Sequence, residues 1–273
     1  MPTTSPAAPG VPPATVRRAA DVVVLGAPRS GTSLVAQLLA SGGIGFGDHL
    51  LPPSPANPRG FLEDVRVTDL DDELLAPHVV GRGALPVPEA RLAWAGAPDE
   101  GAVITADPHQ RRRMEDLLVA GGPLGLKDPR FVWTLDAWRA VLRPGTVFVA
   151  VVRHPAEVAA SLHALWEADR PYYGDLTVTV QRGLALWEAA NRRILAHLRH
   201  GSWLVLDHAA LLAGEGVAAL AGFTGRTLDT GAVDGALHRS GRDVPVPAAA
   251  EELYERLRRR AGDDADRWSH DGR

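Results

Sequence analysis

The stretch "DVVVLGAPRSGTSLVAQLLASGG", Asp21 to Gly43, constrains the fold more than any other part of the chain. A short β-branched run ending in glycine predicts a buried strand. Apolar residues at helical spacing follow and close on a glycine pair, the usual stop signal of a helix. Between them "GAPRSGTS", Gly26 to Ser33, must turn the chain sharply. Such a strand–turn–helix unit aims the free N–H groups and dipole of a helix at an anion. Gly31 allows close approach of the backbone, and Ser30, Thr32 and Ser33 add hydroxyl donors, so the loop reads as a cradle for a nucleotide phosphate. An ordinary glycine turn with an N-capping serine is the competing reading.

The rest of the chain repeats this alternation. "PLGLKD" predicts a second short strand, and "GTVFVAVVRHP", Gly145 to Pro155, is the clearest strand, apolar on both faces as a central parallel strand should be. The helix "AEVAASLHALWEA" follows it directly. A long helix over residues 177–200, the strand "SWLVLD" and a helix from near Ala209 complete the pattern. Helices are also predicted over "FLEDVRVTDLDDELLAP", with Leu62, Val65, Leu70, Leu74 and Leu75 as its apolar stripe, and over "PHQRRRMEDLLVAGG". Residues 52–60 and 81–107 carry many Pro and Gly and read as irregular. Strands alternating with helices argue for a parallel sheet covered on both faces, with ligands beyond the carboxyl ends of its strands.

Composition narrows the partners. A net charge of −4 over 273 residues gives no support for a general nucleic-acid or anionic-membrane binder. Any anion must therefore be held by local basic residues. The chain has no cysteine, which excludes disulfides, thiolate metal sites and a cysteine nucleophile. A cytoplasmic location fits that composition. No run of about 18 apolar residues predicts a membrane span. Residues 1–20, rich in Pro, Ala, Ser and Thr, read as a disordered tail, and residues 21–273 as a single α/β domain. Oligomeric state is not legible in the sequence.

The loop lacks the lysine that a Walker A motif places directly after its second glycine; here Thr32 follows Gly31, and the cation stands earlier, at Arg29. The clearest strand ends in Arg153, where a metal-dependent nucleotide hydrolase would commonly place Asp. Both departures predict a site that handles phosphate-like groups with protein cations and no metal. Lys127, in "GLKDPR", is the one lysine among 29 basic residues. A chain that writes arginine everywhere else keeps a compact, pivoting ammonium here, and a planar fork does a different job.

With these motifs in place the chain resembles the sulfotransferases that use 3′-phosphoadenosine 5′-phosphosulfate (PAPS). "PRSGTS", Pro28 to Ser33, matches the family's 5′-phosphosulfate loop. "RHPAEVAAS" supplies Arg153 and, eight positions on, Ser161, the spacing of the 3′-phosphate motif. "NPRGFLED" and "LKDPR" are similar to segments of a bacterial branch. The resemblance implies a three-layer P-loop-like α/β fold with a central parallel sheet flanked by helices. It implies an enzyme that moves a sulfuryl group from PAPS to a hydroxyl or amine of a small-molecule, glycan or lipid acceptor, leaving 3′,5′-bisphosphoadenosine (PAP). A P-loop kinase using ATP and magnesium, and a non-catalytic nucleotide-binding relative, are the alternatives.

The family's residues carry over as expectations. Arg153 and Ser161 grip the 3′-phosphate. Arg29 and Lys127 reach one crevice and stabilise the leaving group, with Ser30, Gly31, Thr32 and Ser33 around the 5′ end of the donor. Glu63 is the expected base, by analogy with a glutamate of related branches, and His49 its rival. Asp64 reads as a solvated helix acid, and Asp128 as a turn former or arginine partner. His208 stands where many members have a tyrosine beside the adenine. Arg239 and Arg242 are candidates for the family's C-terminal phosphate loop, against a solvated surface run. Trp133, Trp138, Trp166 and Trp187 read as helix packing ahead of an acceptor pocket.

Overall fold

The computed structural model describes residues 21–53, 57, 60–119, 124–232, 241 and 243–270. The expected tail at 1–20, with Arg239 and Arg242, lies outside the described residues. The chain begins with strand β1 (Asp21–Leu25), then helices α1 (Thr32–Ser41), α2 (Val65–Val79) and α3 (Pro108–Leu118). Strand β2 (Leu124–Lys127) leads into α4 (Phe131–Arg139), and β3 (Val147–Val152) into α5 (Pro155–Ala168), the short α6 (Arg170–Tyr173) and α7 (Val180–His197). Strand β4 (Ser202–Asp207) is followed by α8 (His208–Leu212), α9 (Glu215–Thr224) and α10 (Ala248–His270).

The four strands form one parallel sheet in the order β2-β1-β3-β4. Alternation along β1 divides the core. Val22 and Val24 face α1, α8 and α9, while Val23 and Leu25 face α2, α4, α5 and α7. Side chains on successive strand residues point to opposite faces, so an all-apolar strand must be covered twice. Helix α10 closes the β4 edge, where Asp264 Oδ2 accepts the Val205 N–H at 2.9 Å. That bond occupies a donor an open edge would leave for another chain.

The structure departs from the sequence expectation at α2 and at α4. The helix predicted from Phe61 begins at Val65, because Asp64 caps it by accepting the Arg66 N–H at 3.0 Å. Its buried stripe is consequently Val67, Leu70, Leu74 and Leu75, and Leu62 and Val65 sit only half-buried. Helix α4 was not foreseen; Phe131, Val132, Leu135 and Trp138 are all buried, so its apolar residues lack the alternation that marks a surface helix. Trp138 and Trp187 are fully enclosed and Trp133 nearly so, in keeping with the packing reading. In the basic runs Arg111–Arg113 and Arg258–Arg260, read from the sequence as wetted helix faces, the first two arginines of each are exposed and the third is half-buried. No helix among the described residues is long and apolar enough to cross a membrane.

Candidate active site

The chain reverses strand order after β1, going first to β2 on one side and later to β3 on the other. The crevice at such a switch point lies beyond the carboxyl ends of β1 and β3, where open α/β sheets bind ligands. The "GAPRSGTS" loop occupies it. Gly31 is the N-cap of α1 at φ 98°, with no side-chain cap bond. A capping serine is therefore not what ends this helix, and the first N–H groups of α1 face the loop without one. The Ser30 hydroxyl is fully buried and has no hydrogen-bond partner among the described residues. Such an atom costs about 1–3 kcal/mol unless something bonds it. Thr32 is buried behind the loop at the first position of α1. The His208 ring, at the end of β4, closes the loop's far side: a Cβ on Gly31 would lie 2.4 Å from His208 Cδ2.

Backbone strain marks two places. Arg29 (φ 71°) and Leu62 (φ 54°) are the non-glycine residues with left-handed backbone among the described residues. Each such residue costs about 1–3 kcal/mol and persists where its surroundings over-determine it. One lies in the loop; the other directly precedes Glu63.

On the β3 side, Arg29 Nε donates to Ser161 Oγ at 3.1 Å, and Arg153 Nη1 donates to the Arg29 carbonyl at 3.2 Å. Glu157, one helical turn past Arg153, accepts from Arg153 Nε at 2.9 Å, and the Trp187 indole donates to the Arg153 carbonyl at 2.9 Å. Burial, then the neighbouring Arg153 charge, push Arg29 below its ordinary pKa, partly offset by Tyr173. Two guanidinium groups held together against their repulsion favour an anion between them.

On the β2 side, Lys127 ends the strand with its amine 3.1 Å from Ser33 Oγ and bonded to Glu63 Oε1. Both members of that ion pair are buried. Burial raises the Glu63 carboxyl above the usual carboxylate range, with Lys127 pulling it back and Asp128 adding to the rise. Ser33 also accepts from Asn57 Nδ2 at 3.2 Å and approaches the Phe61 carbonyl at 3.5 Å.

Four sequence readings change here. Arg29 and Lys127 flank the loop from opposite sides, because β1 lies between β2 and β3 and the left-handed turn at Arg29 sends its side chain to Ser161. Ser33, expected to face the phosphate, instead braces Lys127 and Asn57. Asp64 is not a solvated acid: it is buried, and although burial opposes it, the Arg66 guanidinium and N–H hold it below the usual range. His49 has an exposed side chain, and its backbone carbonyl accepts the Val65 N–H at 2.8 Å. Asp128, by contrast, does what its sequence suggested, accepting the Arg130 N–H at 2.7 Å and the Arg130 guanidinium at 3.1 Å.

Comparison with known proteins places the chain in a family. The family model described as "Sulfotransferase family" matches residues 21–213. The chain belongs to the sulfotransferase family. Among solved structures, the sulfotransferase is similar to the sulfotransferase domain from the Synechococcus PCC 7002 olefin synthase, with a TM-score of 0.52 and 19% identity over 87% of this chain and 94% of that one. It is likewise similar to the sulfotransferase domain from the curacin biosynthetic pathway, with a TM-score of 0.53 and 15% identity over 87% and 96% of the two chains. At these identities the likeness establishes the α/β fold. A comparison with curated proteins finds no match.

Within the sulfotransferase three neighbours of the site escaped the sequence reading. Glu157 had a usable signal, an acid four residues past a strand-end arginine, where a helix turn brings the two together. Asn57 lies in the quoted "NPRGFLED" segment but no local pattern tied it to Ser33. Tyr173 is buried, lies near enough to Arg29 to feel its charge, and had no signal at all.

Proposed function

We propose that this sulfotransferase moves a sulfuryl group from PAPS to a hydroxyl or amine of a small-molecule, glycan or lipid acceptor, with Lys127 and Glu63 as the catalytic pair. The observation that carries this reading is the Lys127 amine, placed between Ser33 of the phosphate loop and Glu63. The ordered donor-facing groups also suit a nucleotide with two phosphate ends. An unpaired buried Ser30 hydroxyl and the N–H groups at the start of α1 fit the 5′ end. Arg153, Arg29 and Ser161 fit the 3′-phosphate; accepting from Arg29 leaves the Ser161 O–H as a donor. His208, against Gly31 just past β4, is the ring available to an adenine.

PAPS supplies the transferable SO₃. In an in-line transfer Glu63 takes the acceptor's proton as its oxygen or nitrogen bonds to sulfur. Lys127 meets the charge left on the phosphate oxygen as the old S–O bond breaks. An ammonium has three N–H donors, so Lys127 can hold Ser33 and Glu63 and still give its third to that oxygen. A guanidinium presents its donors in a fixed plane and would have to abandon one partner. This is the reason for a lysine at the single position where the chain keeps one. Helix α10 lies beyond the family match yet buries Leu253, Tyr254 and Leu257 in the core, which supports reading residues 21–273 as one catalytic unit.

Calorimetry with PAP, followed by a screen of acceptors with labelled PAPS, tests the reading. PAP is expected to bind without magnesium and more tightly than ADP, and label to pass to at least one acceptor class. Magnesium-dependent ADP binding with no PAP binding would overturn it.

A further inference from the structure

The chain leaves β2 as Lys127-Asp128-Pro129-Arg130, and the last of these touches none of the loop or strand-tip cations described above. Arg130 is buried, and its guanidinium forks onto two carboxylates. Nε and Nη2 reach Asp72 Oδ1 and Oδ2 at 2.6 and 3.1 Å, and Nη1 reaches both Asp128 oxygens at 3.1 Å. Asp72 belongs to α2, whose N-cap is Asp64 and whose head therefore carries Glu63. Asp128 belongs to the turn that carries Lys127. One planar fork thus ties together the two segments that supply the catalytic pair. Arginine satisfies two carboxylates at once in this way, and a single ammonium cannot reproduce the geometry.

We propose that Arg130 is a positioning residue that holds Glu63 against the Lys127 amine by locking α2 to the turn after β2. The assignment rests on reading Glu63 as the base. The ionisable groups around Glu63 are Lys127, Asp128 and Arg130 from that turn. On α2, Asp72 is held by Arg130, and Asp71 Oδ1 accepts from the Trp138 indole of α4 at 2.7 Å. Among them Lys127 and Arg130 draw the Glu63 carboxyl down, and Asp128 pushes it up. Arg130 keeps its charge: burial opposes it, but Asp128 and Asp72 outweigh that and raise its pKa. Misplacing a base by about 1 Å is enough to cost about a hundredfold in rate.

The full chain tests this with Arg130→Lys, Glu63→Gln and the double variant. Arg130→Lys is expected to lower kcat at least tenfold while PAP affinity by calorimetry stays within threefold. In the Glu63→Gln background the same change is expected to lower kcat no further, because a residue acting through Glu63 has nothing left to position. The acid limb of the pH–rate profile supplies a second readout. Arg130→Gln is expected to move it to higher pH and Asp128→Asn to lower pH, opposite directions that loss of packing alone would not produce. If Arg130→Gln fails to fold, Arg130→Lys and Asp128→Asn still decide. Wild-type kcat in Arg130→Lys with Glu63→Gln inactive overturns the positioning role alone. An equal further fall of kcat in the double variant does the same. Full activity of Glu63→Gln overturns the base assignment, and the role of Arg130 with it.

Discussion

Replacing Lys127 with methionine isolates the ion pair on which the site is built. The substitution keeps much of the side-chain volume and removes the charge, leaving Glu63 buried beside Asp128 without its principal partner. Breaking a buried pair by deleting one member typically costs about 3–5 kcal/mol. Glu63 can escape part of that by binding a proton, so the loss must depend on pH. The sign follows from the direction of the shift. Burial raises the folded-state pKa of Glu63, and without Lys127 nothing comparable offsets it. A carboxyl raised above its unfolded value of about 4.3 favours the folded state fully below that pH, and the advantage is lost as pH rises through the folded value. Between those limits the variant loses about 1.4 kcal/mol per pH unit relative to a chain with neutral residue 63. Urea unfolding followed by circular dichroism at pH 5.5, 6.5 and 7.5 reads this directly. The gap between wild type and Lys127→Met is expected to widen as pH rises, and to become nearly independent of pH when Glu63→Gln is added to both. A gap that stays constant across the series, or a variant as stable as wild type at pH 7.5, would refute the buried pair.

Further expectations concern the donor cradle and the chemistry. Lys127→Arg should keep PAP affinity within a few-fold and lower transfer about a hundredfold, the scale of a misplaced charge, as measured by label transfer from PAPS. Arg153→Ala removes a charge-assisted contact worth about 1.5–3 kcal/mol, so PAP affinity by calorimetry should fall roughly 10- to 150-fold. Gly31→Ala forces a side chain onto a left-handed residue, at about 1–2 kcal/mol before the clash with His208; thermal melting should show the loss, and PAP should no longer raise the midpoint. The acid limb of the rate profile should lie above the ordinary glutamate range, because burial raises Glu63 and the base must be ionised. His49→Ala should leave that limb and kcat unchanged within about threefold, since its side chain is exposed.

Much of this protein was legible before any tertiary information. The strand–turn–helix at Asp21 to Gly43, the strands ending at Lys127 and Arg153, and the hydroxyl eight residues past Arg153 are local patterns. Backbone geometry acts on them over a few residues, so spacing alone locates them. Asp128 was likewise readable, since an Asx turn is made with its immediate neighbours. The helix α4 was not, because Asp136 is its one exposed residue, too little of a polar face to set a period.

What the sequence determined by itself is the parallel α/β architecture and the presence of cations and hydroxyls just past its strands. The tertiary structure alone decided which of them meet. Glu63 reaches Lys127 across 64 residues and Arg29 reaches Ser161 across 132, pairings that no short-range signal encodes. The order β2-β1-β3-β4 sends the lysine and the strand-end arginine to opposite flanks of the loop, and so separates the pole that holds Glu63 from the pole that holds Arg153, Arg29 and Ser161. Strand order is set by how two apolar faces are buried together, a property of the whole chain.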